Sequence, residues 1–359
     1  MAYTDIDDPS AYFTTTLYTG NATARSITNS ANAGDFQPDW LWIKVRNNAN
    51  NHRMFDSSRG HAEDLKPNLT EGGEASIDRC TGFDANGFSL GNNAEVNSNT
   101  HNIVAWQWKV NGGTTSTNDA SATGIGDIDS VIQANQTAGI SMVTYTGTDT
   151  AGETFAHGLG AIPDMVIIKR RGADGDAWAV QLATTLGNTN ALRLNETSAY
   201  GGGNGVGFWN DTSPTSTVMS LGDRAEVNSA STNTYMAYFF KSIQGYSKIG
   251  KYIGNGSADG TFVYTGFKPA WVLVKSADVA QSWQLSDSAR NPSNVVNRRI
   301  APNDTSVEST AHSWIDFLSN GFKIRINDAA YNNNGQNYIY IAFAESPFVS
   351  SKGVPTTAR

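Results

Sequence analysis

The apolar runs in this chain are short and carry no helical period. Trp40-Leu-Trp-Ile, Met165-Val-Ile-Ile and Trp271-Val-Leu-Val each follow a proline two residues upstream and end on a lysine: Lys44, Lys169 and Lys275. Runs of that length, β-branched or aromatic and fenced by Pro or Gly, predict short strands buried on both faces. A proline at the mouth of each fits, because the missing N–H is tolerated where a strand begins. Ile103-Val-Ala-Trp-Gln-Trp108, Ile140-Ser-Met-Val-Thr-Tyr145, Thr234-Tyr-Met-Ala-Tyr-Phe-Phe240 and Tyr338-Ile-Tyr-Ile-Ala-Phe343 add further strands. Asn-Gly pairs beginning at Asn86, Asn111, Asn204, Asn255, Asn320 and Asn334 supply the positive φ of tight hairpins. The best helical candidate is a short turn from Asp287 to Val295.

The same phrase occurs three times. Phe36-Gln-Pro-Asp-Trp-Leu-Trp-Ile-Lys44 returns as Ile162-Pro-Asp-Met-Val-Ile-Ile-Lys169 and as Phe267-Lys-Pro-Ala-Trp-Val-Leu-Val-Lys275. Each follows a turn phrase: Tyr18-Thr-Gly20, Tyr145-Thr-Gly147 or Tyr252-Ile-Gly254. Leu90-Gly-Asn-Asn-Ala-Glu95-Val-Asn97 matches Leu221-Gly-Asp-Arg-Ala-Glu226-Val-Asn228, and Asp56-Ser-x-Arg59 matches Asp287-Ser-x-Arg290. Asn86-Gly87-Phe88 matches Asn320-Gly321-Phe322. The middle copy has only a stretched Asn204-Gly205-Val-Gly-Phe208 and lacks Asp-Ser-x-Arg. The expected fold class is all-β, as tandem antiparallel β-sandwich modules of jelly-roll or lectin-like type. The predicted division is module 1 over 1–109 with a short N-terminal lead, a polar linker over 110–126, module 2 over 127–241, module 3 over 242–345, and a mobile tail over 346–359. The modules are expected to stand in series, each with its own aromatic interior.

Composition narrows the function. With 359 residues, 35 Gly, 16% charged residues and 39% hydrophobic ones, the chain can bury several cores under an amide- and hydroxyl-rich surface. A formal charge of −8 with no basic stripe disfavours nucleic acid. The single cysteine, Cys80, excludes an intrachain disulfide and multi-cysteine zinc sites. No signal peptide or membrane-spanning run is expected, and with one cysteine a chain matured in a reducing cytosol without membrane insertion fits.

No reaction centre stands out, and no catalytic residue, metal site or cofactor is expected. None of His52, His61, His101, His157 and His312 recurs in all three copies, and no Gly-x-Ser-x-Gly elbow occurs. His157 is read as a turn residue before Pro163. Asp127 and Asp129 flank Ile128 and could share a cation, but are read as solvated edge charges. Asp5, Asp7 and Asp8 fall in a flexible lead. Glu95 and Glu226, with Asn97 and Asn228, are assigned to hydrogen bonds within their own turns. Asp-Ser-x-Arg is read as a scaffold clamp, and the three motif lysines are expected to lift their ammonium groups into water. Trp40, Trp42, Trp106, Trp108 and Trp271 are assigned to the core. The expected contact surface is Tyr200-Gly-Gly-Gly-Asn-Gly-Val-Gly-Phe208-Trp209, a glycine-rich exposed loop in which Tyr200, Phe208 and Trp209 would stack on sugar rings.

Ile6-Asp-Asp-Pro-Ser-Ala-Tyr-Phe13, the Tyr-x-Gly turns, the Pro-led strands, Phe55-Asp-Ser-x-Arg59, Ala138-Gly-Ile-Ser-Met-Val-Thr-Tyr-Thr-Gly147, His157-Gly-Leu-Gly160 and Ala342-Phe-Ala-Glu-Ser-Pro-Phe348 together resemble a family of tailed-phage virion proteins, described as tail-fibre or tail-associated. The resemblance spans nearly the whole chain and carries no catalytic residues. It implies a homo-oligomeric structural protein of the virion, contacting other tail or collar proteins and a host-surface glycan or envelope protein. The alternatives are a capsid or collar decoration protein, and a polysaccharide depolymerase in a lectin-like fold.

Overall fold

A computed structural model of the chain describes residues 4–29, 36–172, 175–201, 205–230 and 232–356. It is all-β, with antiparallel ladders throughout and, among the described residues, only four short α-helices and one 3-10 turn. Three main sheets repeat one strand order. In module 1 the opening strand Phe13–Thr19 pairs with the closing strand Asn102–Trp108, which pairs with the Pro-led strand Trp40–Val45, which pairs with a flanking strand Arg53–Asp56. Module 2 repeats this with Ile140–Thr146, Thr234–Phe240, Met165–Arg170 and Ala179–Leu182. Module 3 does so with Ser247–Ile253, Asn337–Pro347, Phe267–Ser276 and Gln284–Asp287. The three Pro-led segments therefore occupy one structural station. Pro38 and Pro163 precede their strands, whereas Pro269 lies inside its strand at a register shift.

Each main sheet faces a smaller one. These are Arg25–Thr28, Gly87–Leu90 and Cys80–Asp84 in module 1, Thr154–Ala156 with Val218–Ser220 in module 2, and Phe262–Tyr264, Gly321–Ile324 and Ile315–Leu318 in module 3. Alternation along the strands then sorts the side chains. Leu41, Ile43, Val166, Ile168, Val272 and Val274 fill the three sandwich interiors. The intervening residues Trp40, Trp42, Met165, Ile167, Trp271 and Leu273 point the other way, into one core shared by all three modules. Trp40 lies 5.5 Å from Phe240, Phe240 6.4 Å from Phe343, and Phe343 5.5 Å from Trp108, so aromatic contact runs round a closed ring. The modules are thus not beads in series. Their main sheets back onto a common pseudo-threefold axis, and all five tryptophans assigned to strands are buried there.

The seams repeat as well. Lys169 Nζ of module 2 donates to the carbonyls of Thr70 in module 1 (2.6 Å) and Asp176 (2.8 Å). Lys275 Nζ of module 3 donates to Thr197 in module 2 (3.1 Å), and Lys44 Nζ of module 1 to Thr305 in module 3 (3.3 Å). Eight or nine residues after each lysine, a ring N–H crosses the same seam. Trp178 donates to the carbonyl of Lys66 (3.1 Å) and Trp283 to that of Arg193 (2.9 Å). In module 1 His52 stands there: its Nδ1 accepts from Trp42 Nε1 (3.0 Å), so its Nε2–H donates to Ala301 O (3.1 Å). The acceptor loops share an Asn-x-Thr phrase, Asn68-Leu-Thr70, Asn195-Glu-Thr197 and Asn303-Asp-Thr305. Each Asn accepts from the backbone N–H of His52, Trp178 or Trp283 in its own module.

At the far end of each module the Tyr-x-Gly turn is locked. Tyr18, Tyr145 and Tyr252 donate to the carbonyls of Val96 (2.7 Å), Val227 (2.6 Å) and Tyr331 (2.8 Å). Asn97, Asn228 and Asn332 each accept from the Tyr-x-Gly turn and donate back to it, and Asn97 and Asn228 also donate to Gly91 O and Gly222 O in their own turns, as expected. Gly20, Gly147 and Gly254 pass so close to the next carbonyl that any Cβ would overlap it.

Several expectations change. Residues 110–126 are no linker: Ser116–Asn118 is the outer strand of the module 2 sheet, and Asp119 caps a short helix, Ala120–Thr123. Side-chain hydrogen bonds from Asn118 to Ile125 O and to Asp129 from Ala120 N order this segment, and Val110 and Ala120 are buried. The lead is pinned, with Asp5 N bonded to Gln244 O and the Asp7 carboxylate accepting from Ser351 N. The tail folds back as far as Thr356, with Ser350 N bonded to Val354 O, and 357–359 lie outside the described residues. Asp287 to Val295 holds turns and no helix. Gly205 starts a helix, Gly205–Trp209, rather than a hairpin; Asn204 lies outside the described residues.

Candidate functional site

The expected sugar platform is not at the surface. Phe208 and Trp209 are both fully buried, and their rings complete the sandwich interior of module 2 where modules 1 and 3 carry a third small-sheet strand. Trp209 Nε1 donates to Asn190 O (3.0 Å), while Arg224 lies 4.4 Å over the Phe208 ring. Tyr200 is half-buried against the shared core. Apolar burial of two large rings overrides the glycine-rich composition that predicts an open loop.

The other candidates resolve into scaffold contacts. Arg59 and Asp56 meet at 2.6 Å and Arg290 and Asp287 at 2.5 Å, all fully or nearly buried. Each carboxylate also accepts from the neighbouring module: Asp56 from Tyr238 OH (2.9 Å) and Asp287 from Trp106 Nε1 (3.0 Å). At the third seam the corresponding residues are Leu182 of module 2 and Ile341 of module 3, both in the shared core, so acid and donor are absent together. Glu95 pairs with Arg53 and Arg79, both outside its turn, whereas Glu226 pairs with Arg224 of its own turn and with Arg193 beyond it. Burial opposes the Glu226 carboxylate, but the arginine hydrogen bonds outweigh it and hold its pKa below the usual value. His157 is buried between Thr215 O and Leu159 N, and burial pushes its pKa down to about 4. Asp127 is occupied by Thr154 and Asp129 by Ala120 N. No group of three His, Cys, Asp or Glu is placed to hold a metal ion among the described residues.

The motif lysines reverse their expected role. All three are fully buried, and burial pushes their pKa values down to about 8. Their stems end beneath the next module's loop, so the ammonium finds carbonyls in place of water.

One surface stands apart because the chain provides its own comparison. On the outward face of the small sheets, module 1 places Ser26 and Thr28, and module 2 places Thr154, with a buried Ala156 at the second position. At the same positions module 3 places Phe262 and Tyr264, respectively 44% and 61% exposed. Where three copies share a residue the fold accounts for it; nothing in the fold accounts for two exposed rings in one copy alone. Gly321, opposite Tyr264 in the strand pair, leaves room for the Phe262 ring to lie across the sheet.

Beside Tyr264 opens a cleft of about 390 Å³, bounded by Ser242, Gln244, Lys248, Thr265 and Phe348. Its walls are fixed: Phe348 N donates to Gly266 O (3.1 Å), Thr265 Oγ1 to Phe267 O (2.7 Å), and Ser242 N to Asp164 (2.7 Å). The Tyr264 hydroxyl and Lys248 ammonium make no hydrogen bond or ion pair with the described residues, which leaves both for a ligand. An exposed ring, a second ring at the wall and free polar groups form an amphipathic site that suits the C–H faces and hydroxyls of a sugar. Sequence patterning missed this site because single exposed aromatics carry no signal. Setting the three copies in register at the strand after the Tyr-x-Gly turn would have revealed it.

The molecule thus defines a class: a single-chain, pseudo-threefold ring of three β-sandwich modules. The chain belongs to the family described as Domain of unknown function (DUF7483), whose match covers residues 8–347. No curated protein and no solved structure matches it.

Proposed function

We propose that this chain is a non-catalytic structural protein of a tailed-phage virion, a fibre or tail-associated component that contributes to host-surface recognition and adsorption. The observation that carries this reading is the Phe262–Tyr264 platform with its adjoining cleft, found in one module of three. The resemblance of the repeats to tail-associated virion proteins supplies the setting. In that reading modules 1 and 2 and the shared core are the rigid mount, and module 3 presents the contact to a host-surface glycan. The buried acids are already paired with arginines or neighbouring N–H and O–H donors, which supports a role in holding rather than in proton transfer. A shallow platform binds weakly, so several copies in a homo-oligomer or on neighbouring virion proteins would supply avidity. No helix among the described residues is long and apolar enough to cross a membrane.

Binding to arrayed host-surface glycans tests the proposal. Tyr264→Ala removes an exposed ring and should leave the melting temperature unchanged while weakening glycan binding by about tenfold or more. Equal binding by wild type and variant would reject the site, and no binding to any host glycan would reject the recognition role.

A further inference from the structure

The three opening strands lie at equivalent edges and are finished in three ways. In module 2 the edge is covered: Ser130–Asn135 adds to Ile140–Thr146 as a further antiparallel strand, with Gln133 opposite Met142. That added strand also fills the seam with module 1. Gln133 Nε2 donates to Ser57 Oγ (3.0 Å) and Ser58 Oγ (2.9 Å), its Oε1 accepts from Gly113 N (3.0 Å), and Asn135 Nδ2 donates to Val110 O (2.8 Å). In module 3 the edge Ser247–Ile253 carries Lys248 and Lys251, both exposed, charges that discourage strand pairing. In module 1 the edge Phe-Thr-Thr-Thr-Leu-Tyr-Thr, residues 13–19, is uncharged and ends its sheet.

Beside that bare edge, at the seam with module 3, lies a groove of about 390 Å³ bordered by Phe13, Thr14, Thr15, Ser288, Ala289 and Glu345. In the internal register these six residues correspond to Ile140, Ser141, Met142, Ser57, Ser58 and Val110, the surroundings of Ser130–Asn135. The slot that module 2 fills from its own chain is therefore built again, and no strand among the described residues fills it. Thr15 Oγ1, at its wall, is buried without a hydrogen-bond partner.

We infer that this groove accepts an extended, uncharged segment of a second polypeptide by strand addition to Phe13–Thr19. The segment needs an amide side chain where Gln133 sits in module 2, to reach Ser288. Main-chain hydrogen bonds hold such a strand and alternate side chains select it. Ala289 stands in place of Ser58, so the wall beside that amide loses one hydroxyl, while Glu345 replaces Val110 at the rim; a small apolar residue beside the amide suits Ala289.

The chain's own strand supplies the probe. A fluorescent peptide with the sequence of residues 130–137, Ser-Val-Ile-Gln-Ala-Asn-Gln-Thr, with blocked ends, is titrated into the full-length protein. The expected result is saturable one-to-one binding, with hydrogen exchange of the Phe13–Thr19 amides slowed by about tenfold at saturation. Ala289→Phe, which fills the groove, should weaken binding by at least about tenfold, and so should replacing by Ala the peptide's first glutamine, the one that corresponds to Gln133, a change that leaves the protein untouched. No saturable binding, or binding indifferent to both changes, overturns the inference. So does concentration-dependent self-association of the free protein that Ala289→Phe abolishes, because the occupant would then be a second copy of this chain.

Discussion

Lys44, Lys169 and Lys275 hold the seams at a cost that depends on pH. Each is charged in the unfolded chain up to its ordinary pKa of 10.5, whereas burial brings the folded value down to about 8. Between those values the unfolded state binds more protons, so stability rises with pH across the window. Charge–dipole contact with Thr70, Thr197 and Thr305 offsets only part of the lost hydration. Urea unfolding between pH 8 and pH 10 should show stability increasing by on the order of 2 kcal/mol per lysine, with a smaller rise in each single Lys→Met variant. The range stops at pH 10 because the buried Tyr145, Tyr238 and Tyr252, whose pKa values burial raises, would begin to lose stability above it. A flat or falling profile would show the ammonium groups to be solvated.

At the scale of elements, the two clamps and their missing third show how a buried charge is kept. Asp287 pairs with Arg290 in its own module and accepts from Trp106 across a seam, and the seam between modules 2 and 3 replaces the set with Leu182 and Ile341. Asp287→Leu alone should cost about 3 kcal/mol or more, because Arg290 loses its nearest carboxylate in a site closed to water. Adding Arg290→Met should recover part of that loss, since Glu308 keeps Arg46 and Arg298. Strictly additive losses in a denaturation double-mutant cycle would contradict this coupling.

The strands themselves were legible in the chain. Trp40–Val45 and Thr234–Phe240 fall where their patterning places them, because short apolar runs behind a proline leave few alternatives. Where each face points was not legible. Trp40 and Leu41 are equally apolar, so nothing local says that one enters a shared core and the other a private one. Lys44 finds an acceptor 261 residues away, beyond any local rule, although the recurring Asn-x-Thr phrase was a signal within reach. Phe208 and Trp209 were misplaced because glycine content was weighed above two large rings, and Phe262 and Tyr264 went unread because exposure is a property of the assembled sheet.

For the whole molecule, the shared core makes three modules into one folding unit. Trp271 touches Trp42 and Trp108 of module 1 as well as Phe343 of its own module, so no module can lose its interior without opening the others. Such a ring is a stiff mount: the platform on module 3 and the open groove at the seam of modules 1 and 3 keep a fixed separation. Scanning calorimetry of wild type and Trp271→Ala tests this most directly. The ring predicts one cooperative transition, with calorimetric and van't Hoff enthalpies equal, that moves as a whole to lower temperature when the ring is truncated. Separate transitions, only one of which moves, would mean three independent domains and no common core.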